Sequence, residues 1–568
     1  MSWNARVLLW LVIACGAAIV AAGVDWGLPS TAADRYLFAS HEPWTGAELA
    51  AFDPARANAD LGADVDRDPL DRTGKPLVLN GDDAQRAEIV RRYRLYSEQP
   101  DEMITFMALQ QMSPGQGDFD PRLYQYGGLW IYPVGGLLKG LSVLGLIELR
   151  PDVAFYYDHP RAFGKFYIVA RLYTLAWTMI LMATAAVAAK RLTGNDAAAV
   201  GAAAVALALP VTFAMAHEAK PHLAGAALML LACLGAHNYV KRGRIIDALL
   251  CGAAIGLAAG MVLSAAVIGV LLPAVLFVRR GRIGATVVAL LLATLSAALA
   301  YGVTNPYVVL HLASAYLPMG TATDVNPLTS NLGNSTAMYQ PGPLGEMLRD
   351  GTQRLIDAAT LPVLLLAAVA VLVGITLAII KRRSFSSLTI LLAAPTMVVL
   401  LQFFLLAAGK PGEYARFALF PAVVLALAGV WAIDRVPWRG FRYAGLTIWT
   451  ALIVIVGTLP YFEAFSAHVT HQSTRQRLAA RLQDADLTGA LILDTPAEPA
   501  PYSLPPVDLW RWQLRLSDTA GPATEIFIRA VDHPNEMARE GVEIFAADRP
   551  APITWANKPF VLSIKPVR

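Results

Sequence analysis

At 568 residues, 56% of them hydrophobic and only 16% charged, with a mean hydropathy of +0.48, the chain is far from the composition of a soluble domain. A formal charge of +3 is too small to argue for a nucleic-acid partner. Cys15, Cys233 and Cys251 each lie inside an apolar run and none has metal-ligand spacing, so neither a disulfide framework nor a cysteine metal site is indicated.

At the N-terminus one arginine, Arg6, precedes an apolar run from about Val7 to Val24, long enough to span a bilayer. It reads as an uncleaved anchor with its N-terminus in the cytoplasm; a cleaved signal peptide is the other reading. Residues 25–126 carry eighteen Asp and Glu against ten Lys and Arg, an acidic loop. Within it, Gln99-Pro100-Asp101-Glu102-Met103 has two readings. Proline followed by acids suits a helix start, because carboxylates favour the positive end of the helix dipole. The same carboxylates could do chemistry.

The apolar stretch Gly127 to Leu149 contains Pro133, paired glycines and Lys139, which fit a helix lying in the membrane interface. Further spans fall at about 166–189, 196–215, 221–240, 245–260, 263–278, 283–302, 361–380, 386–407, 415–433 and 442–460. The basic connectors are Lys190-Arg191, Lys241 to Arg244, Arg279 to Arg282, Lys381 to Arg383 and Arg435 to Arg442, and the positive-inside rule puts all of them in the cytoplasm. This closes only if 127–149 does not cross. The expectation is a polytopic α-helical membrane protein of eleven spans, in two parts, 1–460 and 461–568. Its long outside loops are 25–165 and 303–360. The tail holds short β-like runs (ALILD, EIFIRAV, VEIFAA, FVLSIK) and reads as a small β-containing domain on the outer side of the cytoplasmic membrane.

The candidate site residues come from the outside connectors. Asp101 is the expected general base, with Glu102, about 100° further round the helix, as second choice or partner. Asp118 and Asp120 read as a solvated turn before Pro121. The cluster Asp64-Val65-Asp66-Arg67-Asp68 lacks the glycine and bidentate glutamate of a calcium loop, and Asp34 stays a reserve candidate. In His217-Glu218-Ala219-Lys220-Pro221-His222 the histidines are five apart and Pro221 interrupts the helix, so the spacing is wrong for a zinc protease. Lys220 could meet a phosphate, and His217, Glu218 and His222 could hold a divalent ion; the turn could equally be a polar link between spans. Lys410 and Arg416 are phosphate-binding candidates, Arg416 with a fixed fork of donors, or else snorkel to headgroups. Tyr124, Tyr126 and Trp130 could frame a sugar or belong to an aromatic belt.

The order of these parts resembles the GT-C glycosyltransferases, the group holding protein O-mannosyltransferases and the aminoarabinose transferases that modify lipid A. The likeness rests on Pro100-Asp101-Glu102 in the first loop and on the YQYGGLWIYPVGGLL segment. The span ending in Lys190-Arg191, Asn305-Pro306-Tyr307, and Tyr414 to Gly429 add to it. It covers roughly residues 5–435 and leaves the tail after 461 unmatched. One departure is that the group often has an aspartate where His222 stands. The resemblance implies a GT-C fold, a polyprenyl-phosphate sugar donor, an acceptor hydroxyl on a glycan, lipid or protein, and Arg416 on the lipid phosphate. A lipid-linked donor suits a site outside the cytoplasm, which nucleotide sugars do not reach. Its phosphate leaves without a general acid, so one carboxylate base is enough, with cations to steady the developing charge. Attack opposite the phosphate inverts the sugar. A lipid or glycan transporter and a non-catalytic assembly subunit of the same fold are the competing functions. A transporter would place ionisable residues inside its spans, whereas here they sit at span ends.

Overall fold

The computed structural model describes residues 1–39, 41–52, 78–316, 342–381, 385–469, 472–484, 489–493, 505–516, 525–532 and 541–563. The Asp64 to Asp68 cluster lies outside them. The protein is polytopic and helical, with one small C-terminal sheet.

All eleven apolar stretches form helices. Eight are long and apolar enough to cross a membrane by length and composition: Trp3–Ala21, Pro160–Thr193, His222–Arg242, Arg280–Thr304, Leu361–Ile380, Ser387–Ala407, Gly412–Asp434 and Arg439–Ala467. The other three are shorter or broken. Asp196–Ala208 and Pro210–Ala216 meet at 67°. Pro210 lacks an N–H and forces Leu209 into extended backbone, at φ −61° and ψ 131°. Ile245–Met261 is a helix of 17 residues. Leu263–Val278 begins as a 3-10 turn that gives way to an α-helix at Leu271.

The connectors collect in two sets, at opposite ends of the helices. At one end, the Met1 amino group and Lys190 approach Asp196, Asn195 donates to Asp434 at 2.8 Å, and Arg442 lies 3.6 Å from Asp434. These are the connectors whose basic residues assigned them to the cytoplasm. At the other end, the first loop meets the 217–221 turn, the residues around Met261 and Asn305, and the 410–416 segment. The helix Gly128–Val143 starts there: Gly127 N–H donates to Met261 O and Gly128 N–H to Asn305 Oδ1, at 2.9 and 2.7 Å. A Cβ on Gly127 would sit 1.9 Å from the Gly260 carbonyl oxygen, so only glycine permits this approach. With 16 residues the helix falls short of the length needed for a straight crossing.

The sheet has strands β1 (Gly489–Leu493), β2 (Trp512–Leu516), β3 (Glu525–Ala530), β4 (Val542–Phe545) and β5 (Phe560–Ser563), in the order β2-β1-β3-β5-β4. β1 pairs in parallel with β2 and β3, while β5 runs antiparallel to β3 and β4. Four strands match the β-like runs; β2 is additional. The first loop caps the β2 edge. Leu79 N–H donates to Leu514 O at 2.8 Å, and Asn80 bonds Leu509 O, Trp512 O and Leu514 N–H. Trp510 packs against Phe38, His41 and Trp44 of the same loop. The tail sheet and the first loop therefore share one apolar core.

Candidate active site at the end of the first loop

The 217–221 turn is fixed by three neighbours. Trp26 Nε1–H donates to His217 O, the Thr174 hydroxyl to Glu218 O, and Ala219 N–H to Glu102 Oε1, at 2.9, 2.9 and 2.6 Å. Glu102 is fully buried and faces Arg171, which is equally buried, through a fork of 2.8 and 2.7 Å bonds. Arg171 also donates to the carbonyls of Val24 and Trp26, and Ser97 donates its hydroxyl to Glu102. Every lone-pair direction of Glu102 is thus engaged in tying the first loop to the 160–193 helix and the 217–221 turn. Both of its carboxylate oxygens are occupied by these partners, which fits Glu102 as a partner of Asp101 better than as a second base.

Asp101, in the 3-10 turn Pro100–Glu102, turns the other way. Its Oδ2 lies 2.9 Å from Lys220 Nζ and 3.3 Å from Arg416 Nη1. Lys220 is enclosed and reaches Glu218 Oε2 at 3.3 Å on its other side. Arg416, on the 3-10 turn Gly412–Ala418, lies 3.6 Å from Glu413 and flanks the Tyr414 and Phe417 rings. Tyr126 points its hydroxyl at the Asp101 carbonyl, 3.4 Å away, and meets His222 edge to face. Asp101 is the open side of this cluster, with its side chain 26% exposed; Lys220, Glu218 and Arg416 line the interior.

Charge and burial compete here. Burial pushes the Asp101 carboxyl up, but Lys220 and Arg416 outweigh it and hold the group well below the usual carboxylate range. Burial likewise pushes the Lys220 amine down, while Asp101 and Glu218 carry it above its ordinary value. For Glu218 burial prevails over the attraction of Lys220 and pushes the carboxyl up to about 7. One further property separates this cluster from an ordinary buried ion pair. Asp101 Oδ2, both Glu218 carboxylate oxygens, Lys220 Nζ, His222 Nδ1, Arg416 Nε and Nη1 and the Gln99 amide are buried without a well-directed hydrogen bond. Native interiors leave few polar atoms in that condition; those named here adjoin Asp101, and others lie elsewhere in the chain.

Of the expected residues, then, the structure brings Asp101, Lys220, Arg416, Tyr126, Glu218 and His222 together. Lys410 is not joined to Asp101; it lies over the Tyr414 ring at 5.6 Å. Tyr124 belongs to a second group, donating to Asp120, whose other oxygen is 2.7 Å from His311 Nε2. Asp120 is buried, which corrects the reading of a solvated turn. Asp34 is held by Arg94 through two bonds of 3.1 and 2.7 Å and takes no part in the Asp101 cluster. The metal set His217, Glu218 and His222 is also corrected. The His217 ring bonds Phe213 O at 2.8 Å and stacks on Phe465, because the turn before Pro221 rotates it inward. Among the described residues, no three His, Cys, Asp or Glu side chains converge as metal ligands.

Two residues of the site were not foreseen, Glu413 and Trp555. Trp555 Nε1–H donates to Glu413 Oε2 at 2.8 Å. Glu413 stands three residues before Arg416, a spacing visible in the sequence; Trp555 is 142 residues further on and gave no signal.

No family model matches the chain, and no curated protein does. Solved structures similar to it include ArnT from Cupriavidus metallidurans bound to undecaprenyl phosphate. That likeness is at 13% identity and a TM-score of 0.39, over 84% of this chain and 97% of that one. The oligosaccharyltransferase of Archaeoglobus fulgidus in its apo form is similar at 13% identity and a TM-score of 0.40, over 90% of this chain. The chain spans 65% of that protein's length. The archaeal oligosaccharyltransferase AglB, in complex with an inhibitory peptide and a dolichol-phosphate, is similar at 11% identity and a TM-score of 0.39.

Proposed function

We propose that this protein is a GT-C-type glycosyltransferase that moves a sugar from a polyprenyl-phosphate donor to an acceptor hydroxyl on the outer face of the cytoplasmic membrane. The observation that carries the reading is the Asp101–Lys220–Arg416 cluster, whose buried polar atoms lack directed partners and lie where the first loop, the 217–221 turn and the 410–416 segment meet. Two cations flanking one carboxylate suit a reaction in which a phosphate departs and a hydroxyl is deprotonated.

In this reading Lys220 and Arg416 receive the donor phosphate, and Arg416 offers it a planar fork. The acceptor oxygen attacks the anomeric carbon opposite the phosphate. The new carbon–oxygen bond forms as the bond to phosphate breaks, the hydroxyl proton passes to Asp101, and polyprenyl phosphate leaves as the anion. Before the donor arrives, the ion pairs keep Asp101 ionised but weakly basic. The donor phosphate competes for the same cations, so its arrival raises the basicity of Asp101 towards what proton transfer needs. Tyr126 and His222 form the adjoining wall. Glu102 acts as a positioning residue, holding the Lys220 turn against the first loop. The helix 128–143 lies in the outer interface and does not cross, and the tail 461–568 lies on the same outer side.

Lipid analysis of a strain lacking the gene tests this. A polyprenyl-phosphate sugar is expected to accumulate. It should clear when the wild-type chain is restored and persist when the Asp101→Asn chain is restored. No accumulated lipid, or clearance by Asp101→Asn, would overturn the assignment.

A further inference from the structure

The segment 410–416 carries Arg416, and the C-terminal tail grips it at several points. Asp532, at the end of β3, accepts the Gly412 N–H at 2.7 Å and pairs with Arg354 at 2.8 Å and Lys558 at 3.2 Å. Arg354 donates to the Lys410 carbonyl. A Cβ on Gly412 would meet the Pro552 carbonyl oxygen at 2.2 Å, so glycine is required for the tail to come this close. Trp555 is 2% exposed, and its only ring donor, Nε1–H, is directed at Glu413 Oε2. The other oxygen of Glu413 faces Arg416 Nη1 at 3.6 Å. A carboxylate with free torsions could swing onto Arg416 and neutralise it. With Oε2 held by the indole N–H, Glu413 stays at 3.6 Å from Arg416 Nη1 through its other oxygen, and the same Nη1 lies closer, at 3.3 Å, to Asp101 Oδ2.

We infer that Trp555, supplied by the C-terminal tail, is a positioning residue that acts through Glu413 to hold Arg416 in its phosphate-receiving orientation, so that the tail completes the site. The inference rests on the proposed role of Arg416 and adds to it a residue and a reason for the tail.

Titration of the full chain in detergent micelles with undecaprenyl phosphate, and in parallel with neutral undecaprenol, tests it. Wild type binds the phosphate lipid more tightly than the alcohol, and Arg416→Gln loses that preference. Trp555→Phe weakens undecaprenyl phosphate binding about tenfold, the worth of one hydrogen bond to a charged group, and leaves undecaprenol binding unchanged. In the Arg416→Gln background Trp555→Phe costs nothing further, because it acts through the missing residue. A benzothienylalanine installed in place of Trp555, with sulfur where the N–H was, removes the donor alone and gives the same reading if Trp555→Phe does not fold. Unchanged phosphate affinity in the variant, equal weakening of both lipids, or full additivity with Arg416→Gln overturns the inference and leaves the role of Arg416 standing. A wild-type chain that does not prefer the phosphate lipid overturns both.

Discussion

The geometry around Asp101 makes one substitution act in opposite directions on binding and on turnover. Asp101→Asn keeps the shape of the side chain and removes a charge 2.9 Å from Lys220 and 3.3 Å from Arg416. At an effective dielectric of about 20, the two contacts correspond to roughly 6 and 5 kcal/mol of gross attraction. Most of this is offset by solvation of the open carboxylate and by Glu218 and Glu413, which remain. The net is taken as that of one charged hydrogen bond, about 1.5–3 kcal/mol. With its competitor gone, a phosphate gains that amount, and undecaprenyl phosphate should bind about ten- to a hundredfold more tightly to Asp101→Asn than to wild type. Transfer should fall by a hundredfold or more, roughly the contribution of a general base. Fluorescence titration with undecaprenyl phosphate gives the first quantity, and clearance of the accumulated donor lipid gives the second. Weaker or unchanged lipid affinity would refute the view that Asp101 and phosphate compete for the same cations. Near-normal transfer would refute the role of Asp101 as the base.

Glu102→Gln leaves Arg171 as a buried cation without its partner and should destabilise the fold by about 3–5 kcal/mol, read as a lowered unfolding temperature in micelles; wild-type stability would show that the pair contributes nothing. Glu218 has its folded pKa raised from 4.5 to about 7 by burial, so its protonated form stabilises the fold below pH 4.5 and this stability, worth about 3 kcal/mol, is lost as the pH rises through 7. Glu218→Gln should flatten the dependence of thermal stability on pH over that window, and an unchanged slope would assign it to another group. Cysteines introduced at Ser142 and Glu148 should react with a membrane-impermeant reagent from outside, whereas labelling of Glu148→Cys from the cytoplasm alone would mean that the 128–143 helix crosses.

The spans were legible because twenty apolar residues between basic connectors leave little choice of structure. The interruption at Leu209 was not read, although Pro210 was in view, since composition does not distinguish a straight span from a bent one. In the candidate site, Asp101, Lys220 and Arg416 stood out because charges in so apolar a chain are few and these three fall in connectors without the basic clusters of the other set. Their neighbours were not separable by residue type. His217 and His222 look alike in sequence, yet one packs on Phe465 and the other adjoins Tyr126. Asp101 and Glu102 are adjacent, yet one is open to the site and the other is saturated by Arg171 and Ala219. β2 escaped notice although Trp512 and Leu514 alternate with Gln513 and Arg515, a period of two over a run too short to stand out. Trp555 could be found only once the chain had folded back.

The strand-edge contact of Leu79 and Asn80 with β2 has a consequence for how the protein is made. Asn80 and its partner Leu514 are separated by 434 residues. At about 5–20 residues per second a ribosome needs roughly 20–90 s to cover that distance. Throughout that interval Trp44 and Phe38 of the first loop lack the Trp510 ring they pack against in the folded chain, because Trp510 has yet to be synthesised. A chain stalled before Trp510 would therefore leave this aromatic patch without its cover.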